Sequence, residues 1–171
     1  KEGGTVERLD GEGAVRSAFR DGLRARAATR PRRIAFPEAT DPRVAEAAVE
    51  LLRSGIATPV VVGDPGEVGA ALRAACLDAP PPGEIQILDP ASLASELSSA
   101  LLEARGDRIT PDEALVAAAR PLMCAVLALR TGRVDGVVAG AVHVTSDVLR
   151  AALHAIGPAP GIRTVSSSFY M

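Results

Sequence analysis

Short apolar runs without polar alternation recur along this chain between longer segments of helical periodicity, and that alternation most narrows what it can fold into. Ile34-Ala35-Phe36, stopped by Pro37, and Pro59-Val60-Val61-Val62, closed by Gly63-Asp64-Pro65-Gly66, are such runs. A strand that is apolar on both sides needs cover on both faces, so the expected fold is α/β, a three-layer αβα arrangement around a mostly parallel sheet. The spacing predicts strands over 34–36, 59–62, 84–88, 134–142 and 164–169. It predicts helices over 15–28 and 44–53, one following Gly66 through about Leu77, and others over 92–104, 111–119, 121–129 and 146–156. Asp41-Pro42 supplies an N-cap and a first-turn proline, and Thr110-Pro111-Asp112-Glu113 reads as a capping box. The segments 111–119 and 121–129 are apolar on most sides, which predicts burial of both.

At 171 residues, with 47% hydrophobic and 23% charged residues, the chain is long enough to bury a core. Its 19 basic and 21 acidic residues leave a net charge of -2, so no global positive field gathers nucleic acid or lipid, and any anion site must be local. Aromatic residues are too sparse, at 2%, for base stacking. Cys76 and Cys124 lack a partner at metal spacing and read as small buried hydrophobes. No apolar stretch reaches the roughly 18 residues of a membrane span, and the polar N-terminus is unlike a signal peptide, so a cytoplasmic protein is expected.

Ligands of open parallel sheets bind beyond the carboxyl ends of the strands, which directs attention to 37–41, 63–66 and 141–146. The last is the most informative. Beyond His143, a helix start carries Thr145, Ser146 and Asp147, with Arg150 one turn on, a pattern able to seat a phosphate. The same residues also read as an ordinary helix start, with Ser146 the N-cap and Arg150 paired to Asp147 on the surface; such caps are common. His143, on an apolar strand, reads either as a buried partnered histidine or as a base. Glu38 and Arg43 stand at the end of the first strand, as structure in a turn or as contacts to a substrate. His154 has no evident partner. The segment 63–66 lacks a Walker lysine and GxGxxG spacing, and the chain has no nucleophile elbow, Cys-x-x-Cys pair or zinc helix.

Arg33-Ile34-Ala35-Phe36-Pro37-Glu38 with Asp41-Pro42-Arg43-Val44, the stretch 54–63, and above all the block from Val134 through Gly140, His143 and Arg150, followed by Val165-Ser166-Ser167, resemble phosphate acetyltransferase (phosphotransacetylase). The likeness runs over about 33–171. It implies an isocitrate/isopropylmalate dehydrogenase-like fold and reversible transfer of an acetyl group between coenzyme A and inorganic phosphate. Acetyl-CoA and acetyl phosphate are then substrates, with no metal or other cofactor and a homodimer as the assembly. Carried over by motif, Arg150 matches a catalytic arginine that engages the phosphate, and His143, Thr145 and Ser146 lie in the same motif. A second family arginine precedes the Ile-Thr of the Thr110 helix; Arg105 is the better match and Arg108 the fallback. Glu38 joins the substrate-binding group. Ala151 stands where the family usually has proline.

The family is about twice this length, and its serine, arginine and aspartate that handle the coenzyme A thiol lie in the half not represented here. The expected organisation is a tail and helix over 1–30, an α/β domain over 31–157, and the truncated start of a second domain over 158–171. The segment alone is then expected to be inactive. A noncatalytic module that senses phosphate or acyl-CoA is the competing reading, and a dehydrogenase a weaker one without a nicotinamide signature.

Overall fold

The computed structural model describes residues 7–76, 83–162 and 164–165. After α1 (Glu7–Ala28), the chain enters β1 (Arg32–Phe36), α2 (Pro42–Ser54), β2 (Ala57–Val62), α3 (Pro65–Ala75), β3 (Gln86–Leu88) and α4 (Pro90–Arg105). A 3-10 turn, Gly106–Arg108, leads into α5 (Pro111–Ala118), α6 (Pro121–Arg130), β4 (Gly136–Val137) and α7 (Thr145–Ala155). The four strands form one parallel sheet in the order β3-β2-β1-β4.

Register and burial explain the layers. Ala35 lies beside Val60, and Val62 beside Leu88, on one face; these side chains join the core built with α4, α5, α6 and α7. Phe36 lies beside Val61, which lies beside Ile87, on the other face, where α2 and α3 cover them. β1, β2 and β3 each contribute to both cores, which is why their sequences are apolar without alternation. Four helices start on a side-chain cap: Asp41, Asp64 and Asp89 each accept a backbone N–H of the first turn, and Thr110 and Glu113 form the reciprocal capping box.

The structure corrects three expectations. The fourth strand is two residues long rather than 134–142: Val138 donates to the Ala35 carbonyl, but β1 ends before Pro37, which has no N–H to continue the ladder. Gly140 then turns the chain away at φ 109°, a conformation suited to glycine alone. Second, α5 buries only Ala114 and Ala118; Leu115 is exposed and Val116 is 61% exposed, because the helix meets the core along one edge. Third, Cys76 is half-buried, while Cys124 is fully buried in the core, where burial pushes its thiol up to about 11. The expected strand 164–169 falls largely outside the described residues; Thr164 and Val165 are irregular.

Candidate functional site

In the order β3-β2-β1-β4, the chain runs from β1 through β2 to β3 on one side and then crosses back to β4 on the other side of β1, so the gap beyond the carboxyl ends of β1 and β4 is the topological switch point where ligands of such sheets bind. Two sequence-chosen residues meet there. Glu38 follows β1 directly and is 5% exposed. Its Oε2 accepts the N–H groups of Gly140 (3.0 Å) and Ala141 (2.8 Å). Its Oε1 accepts those of Val142 (3.0 Å) and His143 (2.7 Å), and lies 2.7 Å from His143 Nδ1. Burial alone would raise the Glu38 carboxyl, but the donors from His143, Ala141 and Val142 outweigh it and hold the carboxyl down at about 2. Arg43, paired with Asp41, adds a bond from Nη2 to the Ala141 carbonyl (3.1 Å). At the opposite end of β4, Arg33 donates through its guanidinium and its N–H to Asp135, so a two-residue strand is clamped at both ends.

An ionised carboxylate only accepts, so the proton between Glu38 and His143 is assigned to Nδ1. The His143 side chain is about one-third exposed, and among the described residues Nε2 has no partner. The helix that follows starts two residues earlier than the cap reading required. Thr145 is its first residue and Val144 its N-cap, with no side-chain cap bond, so Ser146 does not cap. The Thr145 and Ser146 amides therefore face outward without a partner among the described residues. Arg150 donates to Asp147 at 3.3 Å, as the surface reading expected, but the arginine side chain is 64% exposed and the pair is loose.

The second arginine group lies where α4 ends. Arg105, Arg108, Arg120 and His154 line an open cavity of about 490 Å³ with the exposed edge of α5. None of the three arginines makes an ion pair or hydrogen bond among the described residues; of the two acids that also line the cavity, Asp112 and Glu113, the latter is held in its capping box. Burial lowers the His154 pKa, and the charges of Arg105 and Arg150 lower it further, so these two arginines flank the same imidazole. Arg105 and Arg108 are both present in the cavity; Arg150 is not among its lining residues. Sequence reasoning missed Arg120 and found no partner for His154. The signal for His154 was its i+4 spacing from Arg150; Arg120, next to Pro121, gave none. Unpaired guanidinium groups around a water-filled cavity bind oxyanions, and several bind a polyanion.

Residues 18–171 match the family described as phosphate acetyl/butaryl transferase. The phosphate acetyltransferase of Paracoccus denitrificans is 41% identical over 140 residues, covering 82% of this chain and 40% of that protein. That of Escherichia coli K12 is 36% identical over 157 residues, 90% of this chain and 21% of its own length. Among solved structures, a phosphotransacetylase from Streptococcus pyogenes superposes with a TM-score of 0.79 at 31% identity, covering 88% of this chain and 45% of that one. The chain thus spans less than half the length of the relatives it matches.

Proposed function

The chain belongs to the phosphate acetyl/butaryl transferase family, and from that membership we propose that the protein containing it transfers an acetyl group reversibly between coenzyme A and inorganic phosphate. The observation that carries this reading is the extent of the match, which runs over residues 18–171 and so takes in both arginine groups and the switch-point loop. The chemistry of the sites supports it. Attack of the coenzyme A thiolate on acetyl phosphate forms a C–S bond and breaks the C–O bond to phosphate, which leaves with the electron pair. Positive charge near the leaving phosphate lowers that barrier. Arg150 and the open Thr145 and Ser146 amides are assigned to that phosphate, and the cavity of Arg105, Arg108 and Arg120 to the phosphates of coenzyme A. Glu38 spends its oxygens on the 140–143 loop, so its part is to hold that loop rather than to touch substrate.

In this reading 31–157 are the first α/β domain of an isocitrate/isopropylmalate dehydrogenase-like protein, and 158–171 begin a second. The protein works in the cytoplasm as a homodimer, without a metal. Among the described residues no helix is long and apolar enough to cross a membrane. A coupled assay of coenzyme A release from acetyl-CoA with orthophosphate, run on the 171-residue chain and on any longer polypeptide that contains it, tests the proposal. Turnover by the longer polypeptide is expected; binding of substrates without turnover by every such polypeptide would favour a sensing module instead.

A further inference from the structure

The cavity at the end of α4 contains one cation-forming group whose charge is not fixed. His154 lines it with Arg105, Arg108 and Arg120, and neither ring nitrogen has a partner among the described residues. The guanidinium groups stay charged throughout, whereas an imidazole changes charge near about pH 6.5.

The charges that face the ring come from each element around it. Arg105 ends α4, Arg108 closes the 3-10 turn, and Arg120 precedes α6. Arg150 lies one turn earlier on α7 itself, and Arg130 of α6 donates to the carbonyl of Ala155, the next residue. The acids are Asp112 and Glu113 of α5, of which Glu113 is tied to Thr110. Burial opposes a positive charge on the ring, and the charges of Arg105 and Arg150 oppose it further, so the imidazole of the empty cavity sits below the usual histidine range. A polyanion reverses the second effect. Its charge offsets the guanidinium groups, and its oxygens only accept, so a ring nitrogen that carries a lone pair meets repulsion until it is protonated.

We propose that His154 is a conditional fourth cation of this cavity: it takes a proton from solvent as a polyanion of the phosphate-ester or diphosphate class enters, and donates an N–H to it. No bond of the ligand breaks, and the proton returns to solvent when the ligand leaves. Occupancy is therefore linked to pH, tighter on the acid side and weaker on the alkaline side. The identity of that ligand as coenzyme A rests on the acetyl-transfer reading; the proton linkage does not.

Phosphates titrate in the same range as histidine, so the probe is methanedisulfonate, whose two sulfonates keep their charge. The carbon-bound ring protons of the two histidines in the 171-residue chain are followed by NMR between about pH 5 and 9, with and without the probe, at constant ionic strength. The signal missing from His154→Gln identifies the ring, and His143→Gln identifies it by elimination if the first variant does not fold. Saturation with the probe is expected to raise the His154 midpoint by about one pH unit, so that by linkage the probe binds about tenfold more tightly at low than at high pH. Calorimetry in buffers of different ionisation enthalpy should show uptake of up to about one proton near pH 7, and His154→Gln should bind without that uptake. A midpoint that stays in place or falls, a pH dependence that survives His154→Gln, or failure of the probe to bind overturns the proposal. Coenzyme A that does not bind where methanedisulfonate binds with proton uptake overturns the assignment of coenzyme A to the cavity and leaves His154 in its role.

Discussion

A carboxylate held at about 2 while buried beneath a loop makes folding depend on pH in a way that can be signed. The unfolded Glu38 carboxyl returns to about 4.5, so its folded pKa is depressed. Its contribution is fully present above about pH 5 and disappears as pH falls from about 4.5 towards 2. That displacement corresponds to stability on the order of 3 kcal/mol. Urea unfolding at neutral pH is expected to show Glu38→Gln destabilised by about 2–4 kcal/mol, with the difference from the unmodified chain shrinking near pH 3. A difference that stays constant between the two pH values would mean that the carboxylate is not the charged keystone of the loop. Asp135, lowered to about 2 first of all by its bond with Arg33, titrates in the same window in both proteins and cancels in the comparison. The arginines divide differently. If, as the acetyl-transfer reading assigns it, Arg150 serves the phosphate whose bond breaks, Arg150→Ala is expected to reduce kcat/KM for acetyl phosphate by about 2 kcal/mol, roughly 30-fold. Arg105→Ala, at the remote cavity, is expected chiefly to raise the KM for coenzyme A, and steady-state kinetics with each substrate varied separates the two.

Helix starts govern the second tier of effects. Thr110 and Glu113 satisfy each other at the head of α5, with Glu113 Oε2 accepting the Thr110 N–H at 2.8 Å and the hydroxyl at 2.9 Å. Thr110→Ala removes the hydroxyl and should cost about 1 kcal/mol in urea unfolding. It should also weaken pyrophosphate binding, because a loosened Glu113 carboxylate becomes free to pair with the cavity arginines; titration of both proteins checks this, and equal affinities would show that Glu113 stays put. Such caps are short-range, and two of the four, at Asp41 and Thr110, were read from the sequence. Asp41-Pro42 and the Thr110 box stand where their residue types place them, and Asp64-Pro65 and Asp89-Pro90 do the same for α3 and α4. The helix predicted over 92–104 nevertheless begins at Pro90, because the apolar stripe rather than the aspartate set the expected boundary. The run 134–142 is where local pattern misleads. Its residues are apolar enough for a strand, but Pro37 ends the neighbouring ladder and Glu38 takes the amides, and both lie about a hundred positions upstream. The apolar composition of α5 misled in the same manner: burial depends on which neighbours the topology supplies, and α5 has them along one edge only. Glu38, His143 and Arg150 could be singled out from sequence as individual residues; that Glu38 faces the loop amides rather than a ligand required the fold.

At the scale of the molecule, charge and its distribution point in opposite directions. The chain carries a net charge of -2, yet Arg105, Arg108 and Arg120 share one cavity and Arg105 and Arg150 both act on His154. Attraction of a polyanion is therefore local, without a long-range field to gather it. The sheet order explains how residues so far apart in sequence act in one region. β4 returns to the open side of β1, so α7 starts from the switch point, and it packs against α4 and α6, with His154 of its last turn in the cavity that Arg105 lines at the end of α4. On the acetyl-transfer reading, the start of α7 and the cavity beside its last turn are two levels of one helix, matching a ligand with a reactive group at one end and several phosphates at the other. Two consequences can be measured by calorimetry on the 171-residue chain. Coenzyme A should bind more tightly than orthophosphate, because it meets several unpaired guanidinium groups where orthophosphate meets few. Raising the salt from about 0.05 to 0.5 M shortens the screening length from roughly 14 to 4 Å and should weaken coenzyme A binding several-fold, since the cavity is open to water. The triple substitution of Arg105, Arg108 and Arg120 by alanine should abolish that salt dependence while leaving the Glu38 loop intact. Salt-insensitive binding, or binding that survives the triple substitution, would remove coenzyme A from the cavity.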